Sequence, residues 1–250
     1  MKYLENKTAV IIGGTAGIGK AMAKLFVQQG ARVIIAGRRD NKKIIQEINA
    51  VAGIRVDITS EDQLAKAFKY ASLTLGKLDI VINNAGVYAG NITFKELSND
   101  DLQSSFDVNI RGVAFSLKHA PLFMTEGGSI INTSSVSGTI TVSGDACYGI
   151  SKSAINLMTK TAAIELASQG IRVNAIAPGG ISGTDMSPEE AFIGQLAPMG
   201  RLGTPREVAV LALFLASDLA KCISGQVINI DGGLSSGVSK SLLNKFENMG

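Results

Sequence analysis

The chain has 250 residues, 46% hydrophobic and 18% charged, with 28 glycines and no tryptophan. Such a sequence can bury a large core, which excludes a disordered chain, and its length suits one sizeable α/β domain. A net charge of +3 argues against a nucleic-acid binder, and two cysteines with a single histidine exclude a disulfide framework and most zinc sites.

The opening MKYLENKTAV carries lysines but leads only into a short apolar run, unlike a signal peptide. β-Branched runs follow at Thr8–Ile12, Arg32–Ala36, Ile54–Asp57, Leu78–Asn83, Ser129–Thr133, Arg172–Ile176 and Val227–Ile230. Most are continuously apolar rather than alternating, the pattern of parallel strands covered on both faces. Helical patterns separate them at Gly19–Gln29, Glu61–Leu75, Leu102–His119, Cys147–Gln169 and Pro205–Ala216. Strand-then-helix repetition without a break in composition predicts a doubly wound α/β sheet, in a single domain over residues 1–250. The tail Gly232–Gly250 reads as an extension, either frayed or a short amphipathic helix carrying Leu242, Leu243 and Phe246. The longest apolar stretch, Val208–Ala216, falls far short of the ~20 residues that cross a bilayer, so the expected location is the cytoplasm.

The first strand runs into Gly13-Gly14-Thr15-Ala16-Gly17-Ile18-Gly19 with a helix behind it. Glycines there allow a tight turn and close approach of backbone N–H groups to a pyrophosphate, which the helix N-terminus also favours. At the tip of the second strand stand Gly37-Arg38-Arg39, with no acid to grip a ribose 2′-hydroxyl. Two guanidiniums suit a 2′-phosphate by charge and fork geometry, which favours NADP(H) over NAD(H). Asp57-Ile58 closes the third strand, where an adenine could rest.

Tyr148-x-x-x-Lys152 puts a phenol and an ammonium one helical turn apart on one face. A cation beside a tyrosine is expected to favour its phenolate and bring it towards a useful acid–base range. The pattern is cheap by itself, since Tyr3-x-x-x-Lys7 also matches, ahead of the first strand. Ser135 lies at the end of an apolar strand, where its hydroxyl can meet a substrate carbonyl, and Asn109 lies within a helical pattern that it fits poorly.

Taken together, GGTAGIG at 13–19, Asp57, Asn83-Asn84-Ala85-Gly86, Asn109, Ser135, Tyr148-x-x-x-Lys152 and Pro178-Gly179 resemble the short-chain dehydrogenase/reductase family over essentially the whole chain. The resemblance implies a seven-stranded parallel Rossmann sheet, usually in a homotetramer, with a nicotinamide dinucleotide as cofactor. It implies that Tyr148 is the general acid or base and that Lys152 holds the nicotinamide ribose and lowers the pKa of Tyr148. By the same likeness Ser135 orients the carbonyl, and Asn109 fixes a water through which Lys152 exchanges protons with solvent. Gly13, Thr15, Gly17, Ile18 and Gly19 would cradle the dinucleotide, with Asn84, Ala85 and Gly86 walling its adenosine side. Pro178, Gly179, Ile181 and Thr184 would line the nicotinamide. The chain departs from the family pattern at Ile12, where a threonine is usual, and at Ala16, where many NADP-using members carry a basic residue. An extra residue precedes Thr184.

The stretch after Thr184, with Met186, Pro188, Phe192, Ile193, Leu196 and Met199, reads as an apolar lid suited to a small, largely neutral carbonyl or alcohol. The alternatives are a 3-ketoacyl-ACP reductase and a catalytically degenerate dinucleotide-binding regulator. Reductases of that kind generally dock an acidic carrier with basic residues in the loops before strands five and six. This chain has Thr125-Glu126 and Ser168-Gln169-Gly170 there, which lowers that reading. Gly233-Leu-Ser235-Ser-Gly237 fits the serine-hydrolase pattern G-x-S-x-G, but the lone His119 precedes it, in the wrong chain order.

Overall fold

Residues that read as continuously apolar form strands buried on both faces. In chain order the elements are β1 (Thr8–Ile12), α1 (Gly17–Gln28), β2 (Arg32–Gly37), α2 (Lys42–Ile48), β3 (Ala52–Arg55), α3 (Glu61–Leu75) and β4 (Leu78–Asn83). Then come α4 (Asn99–Ser105), a π-helical turn (Phe106–Arg111), α5 (Gly112–His119), β5 (Met124–Thr133), α6 (Ala146–Glu165), β6 (Arg172–Pro178), α7 (Pro205–Ala216) and β7 (Val227–Ile230). This is a computed structural model describing residues 2–88, 92–141, 143–183 and 194–237. The seven strands form one sheet in the order β3-β2-β1-β4-β5-β6-β7, every pair parallel, which is a doubly wound Rossmann arrangement.

Side chains alternate across β1, so Ala9 and Ile11 face one layer of helices and Val10 and Ile12 the other. The first layer packs Met22, Ala23 and Phe26 of α1 with Val208, Ala212 and Leu215 of α7. The second packs Leu64, Phe68 and Ala71 of α3 with Ala162 and Ala163 of α6. Phe26 and Phe68 are fully enclosed, and truncating either to alanine would cost about 3–5 kcal/mol. Caps fix the helix starts: Ser60 on α3, and capping boxes Ser98/Asp101 on α4 and Thr204/Glu207 on α7.

The bounds expected for β1, β4, β7, α3 and α7 match the structure. β3 lies at Ala52–Arg55 rather than Ile54–Asp57, because pairing with β2 recruits Ala52 and Gly53 despite their poor strand propensity. Gly53 is required there: a Cβ would overlap the side chain of Asn41. β5 starts at Met124 rather than Ser129, with a register shift opposite Leu78 and Ile80. The short helix α2 was not among the elements expected, and Leu102–His119 is one helical stretch only through its π turn. Leu242, Leu243 and Phe246 lie outside the described residues. Among those described, no helix is long and apolar enough to cross a membrane, and no group of three or more metal-ligating side chains occurs.

Candidate active site

Sheet order reverses between β1 and β4, which opens a crevice at the C-terminal ends of those strands. The glycine loop crosses its floor. Gly13 has φ +80° and donates its N–H to the Ala36 carbonyl at 2.7 Å, and a Cβ there would stand 2.6 Å from the Ala85 nitrogen. Gly19 lies beneath, where a Cβ would overlap the Gly13 carbonyl oxygen. Asn84 ties the loop to β4 by donating Nδ2–H to that oxygen at 3.2 Å. Ala16 caps α1 with no side-chain hydrogen bond, so the first N–H groups of the helix are left for an anion. Gly17 faces open space. Backbone donors, absent side chains and a helix N-terminus together fit the pyrophosphate of a dinucleotide.

A cavity of about 200 Å³ continues from the loop between β2 and β3, lined by Thr15, Gly37, Arg38, Arg39, Asp57 and Ile58. Both arginines are exposed, and among the described residues neither joins a salt bridge. One oxygen of Asp57 accepts the N–H and hydroxyl of Thr59 at 3.0 and 2.9 Å. These bonds, and beyond them the charge of Arg38, hold its carboxyl below the usual range.

On the other side of Asn84 and Gly86 lies a cleft of about 490 Å³, where Ser135, Tyr148 and Lys152 meet Ile18, Pro178 and Ile181. Ser135 lies two residues past the end of β5 and accepts the Ser137 N–H at 3.2 Å, which caps a 3₁₀ turn at Val136–Gly138. That turn is bolted to α6. Asn156 donates Nδ2–H to the Gly138 carbonyl at 3.0 Å and accepts the Ser134 hydroxyl at 2.6 Å, while a Cβ on Gly138 would strike the Lys152 backbone. Lys152, 4% exposed, donates its ammonium to the Thr133 carbonyl at 2.9 Å. Burial pulls its pKa from 10.5 to about 8.

The expectation that Lys152 lowers the pKa of Tyr148 does not hold in this structure. Burial raises the phenol, the Ser135 hydroxyl partly offsets it, and the charges of Asp145 and Tyr88 raise it further. The Lys152 ammonium lies 5.4 Å from the ring centre, committed to Thr133 and itself desolvated. Asn109 is held by its side chain. It sits in the π turn, fully enclosed, with Oδ1 accepting the Val87 N–H at 2.9 Å and Nδ2 donating to the Val87 carbonyl at 2.9 Å and to the Ser151 hydroxyl at 3.0 Å. Its amide grips backbone, although a Cβ on Gly86 would lie only 3.2 Å from its Oδ1 and 3.5 Å from the Lys152 ammonium.

Gly179 closes the sheet end by donating its N–H to the Ile230 carbonyl at 3.0 Å. Thr184 and the lid positions Met186, Pro188, Phe192 and Ile193 lie outside the described residues. Sequence reasoning missed Tyr88, which lines the cleft with its ring 5.0 Å from that of Tyr148, edge to face at 83°. Nothing in the local pattern marks it, because the contact joins the loop after β4 to α6, sixty residues on. Buried Cys147 has its thiol pushed up by desolvation, as suits a packing residue. The hydrolase pattern fails on geometry as well as on chain order. Ser235 stands in a 3₁₀ turn and accepts the Asn229 amide at 2.7 Å, whereas His119 is held by Glu61 at 2.9 Å.

The carrier-docking argument from the loops before β5 and β6 also needs correction. Thr125, Glu126, Ser168 and Gln169 adjoin one another where β5 and β6 begin, the opposite end of the sheet from Ser135 and Tyr148. Their lack of positive charge therefore says nothing about the mouth formed within one chain.

Residues 13–235 match the family model described as enoyl-(acyl carrier protein) reductase. A 3-oxoacyl-(acyl-carrier-protein) reductase from Thermotoga maritima is 38% identical, covering 92% of this chain and 98% of its own. A 2,5-dichloro-2,5-cyclohexadiene-1,4-diol dehydrogenase from Sphingobium indicum is also 38% identical, covering 94% and 98%. A solved short-chain dehydrogenase/reductase from Serratia marcescens superposes with a TM-score of 0.89 at 32% identity, covering 93% of this chain and 99% of its own. A fold, a dinucleotide crevice and relatives aligned from end to end lead to one assignment: the chain belongs to the short-chain dehydrogenase/reductase family, oxidoreductases that act on alcohol and ketone groups with a nicotinamide cofactor.

Proposed function

We propose that the chain is an NADP(H)-dependent oxidoreductase for small, largely neutral carbonyl or alcohol substrates. The observation that carries this reading is the convergence of Ser135, Tyr148 and Lys152 on one cleft that adjoins the glycine loop. When bound, the nicotinamide supplies or accepts the hydride. Tyr148 Oη gives a proton to the substrate oxygen, or takes one in the oxidative direction. A phenol raised by burial holds its proton at neutral pH, which suits it to the acid role. Ser135 Oγ points the substrate oxygen at that phenol, and Lys152 Nζ faces the ribose hydroxyls. Asn109 holds the Val87 backbone that walls the cleft. Gly13, Thr15, Gly17, Ile18 and Gly19 would hold the pyrophosphate, with Asp57, Ile58, Asn84, Ala85 and Gly86 about the adenosine, and Pro178, Gly179 and Ile181 about the nicotinamide.

Arg38 and Arg39, neither in a salt bridge among the described residues and with no acid at the end of β2, support the 2′-phosphate. Apolar walls of Ile18, Val87 and Ile181 support a neutral substrate, and the Sphingobium indicum relative is named for a ring diol. Assembly into a homotetramer through α6 and α7 is part of the proposal. A groove of about 580 Å³ between α5 and α6 is lined by apolar side chains such as Ile110, Leu117, Leu157 and Met158. A second reading, 3-oxoacyl-(acyl-carrier-protein) reductase, is favoured by the Thermotoga maritima relative. Ketones, diols and acyl thioesters assayed with NADPH and NADH, by absorbance of the reduced cofactor, test both. Turnover of thioesters alone would select the second, and turnover of none would end both.

A further inference from the structure

Tyr88 has no part in the proton chemistry above, yet it stands beside the group that performs it. Its side chain is 62% exposed. Among the exposed large hydrophobic side chains described, it alone lines the cleft of Ser135, Tyr148 and Lys152. A lone exposed aromatic on an outer surface calls for no explanation. Inside a cleft, in contact with a reacting side chain, it is a wall that a ligand meets.

The backbone that carries this ring is fixed from both sides. Upstream, Asn84 and Ala85 donate their N–H groups to the Ile12 carbonyl at 2.9 and 3.0 Å. The next anchor is Val87, whose N–H and carbonyl are both held by the Asn109 amide at 2.9 Å. That amide also donates to the Ser151 hydroxyl at 3.0 Å, and Ser151 donates to the Tyr148 carbonyl at 2.8 Å. Asn109 and Ser151 are fully enclosed. A buried chain of hydrogen bonds therefore runs from the residue before Tyr88 to the backbone of Tyr148. The rings repeat the connection, edge to face at 5.0 Å. A ring held this way is preorganised, so a ligand that packs on it loses little to ordering the wall.

We infer that Tyr88 is a specificity-determining residue whose ring packs against an aromatic ring borne on the reacting carbon of the substrate. The preferred substrates are thus aryl ketones and aryl carbinols. Because the two tyrosine rings touch, a carbonyl held by Tyr148 Oη has its own substituent beside Tyr88, not a remote group. An aryl substituent gains an aromatic pair there in addition to buried area, whereas a saturated ring of the same size gains the area alone. This inference rests on the oxidoreductase reading above and narrows its substrate class.

The test measures KM and kcat for acetophenone and cyclohexyl methyl ketone, which match in size, with NADPH and NADH. Wild type, Tyr88→Phe, Tyr88→Leu and Tyr88→Ala are compared, and thermal melts check that each is folded. Wild type is expected to show the lower KM for acetophenone. Tyr88→Leu and Tyr88→Ala should reduce that preference about fivefold, and Tyr88→Phe should keep it within about twofold, because the ring and not the hydroxyl makes the contact. If Tyr88 only steadied Tyr148, its loss would lower kcat for both ketones alike and leave the KM ratio unchanged. A KM ratio unmoved in Tyr88→Leu and Tyr88→Ala, or lost equally in Tyr88→Phe, overturns the inference. Reduction of neither ketone, with turnover of other ketones, diols or thioesters, overturns it and leaves the enzyme class intact. Turnover of none of these by wild type overturns the oxidoreductase reading as well.

Discussion

Lys152 holds its ammonium 5.4 Å from the ring centre of Tyr148 but gives its hydrogen bond to the Thr133 carbonyl, 2.9 Å away. The lysine is thus positioned by the end of β5, the strand that leads into Ser135, and not by the phenol. Strand and helix are locked together at this point, so the proton-handling groups share one rigid mount.

Tyr148→Phe keeps the ring and its contact with Tyr88 while removing the atom that moves the proton. Turnover should fall by about 10²–10⁴-fold with cofactor affinity nearly unchanged, read by steady-state rates and fluorescence titration. Activity equal to wild type would remove the phenol from the mechanism.

Lys152→Met separates stability from chemistry. In the folded chain Lys152 loses its proton near pH 8, below the value of 10.5 from which burial shifts it. Between those values the unfolded state binds more protons, so wild-type stability should gain from this group as pH rises through that window. The full gain is of order 3 kcal/mol. Denaturant melts at pH 7 and pH 9.5 should show the rise in wild type and a smaller one in the variant. The variant should also lose turnover by at least about 100-fold.

Replacing Arg38 and Arg39 together with alanine should weaken NADPH by about 10- to 100-fold, the worth of one or two charge-assisted bonds at an exposed site, and NADH far less. Equal loss for both nucleotides, measured by titration, would mean that neither guanidinium meets the 2′-phosphate.

Gly19→Ala places a methyl group on the Gly13 carbonyl oxygen and against the Asn84 amide. The loop must move, so binding of both dinucleotides should be lost together, with a destabilisation of about 1–3 kcal/mol seen in thermal melts.

Leu157 and Ile164 are 67% and 79% exposed on α6. Replacing both with aspartate should yield monomers by light scattering if α6 forms the subunit interface. An unchanged mass would place the interface elsewhere.

The sheet was legible because its strands are continuously apolar and its helices keep their period. Thr8–Ile12, Leu78–Asn83 and Val227–Ile230 needed no tertiary information to be placed. β3 was misplaced because Ala52 and Gly53 have little intrinsic strand preference and are ordered by β2 and by the side chain of Asn41. Of the candidate site, the glycine loop, Ser135 and the Tyr148–Lys152 pair could be read from local spacing. Tyr88 could not, since it matters through a neighbour distant in the chain.

Pattern and spacing alone thus determined the doubly wound fold, the glycine loop and the Tyr148–Lys152 pair, because periodicity and backbone conformation are local properties. Tertiary structure alone decided the protonation energetics, since the pKa of Tyr148 depends on which groups are desolvated and where each charge is already committed. Burial raised the phenol and lowered the ammonium, and neither follows from the order of residues along the chain.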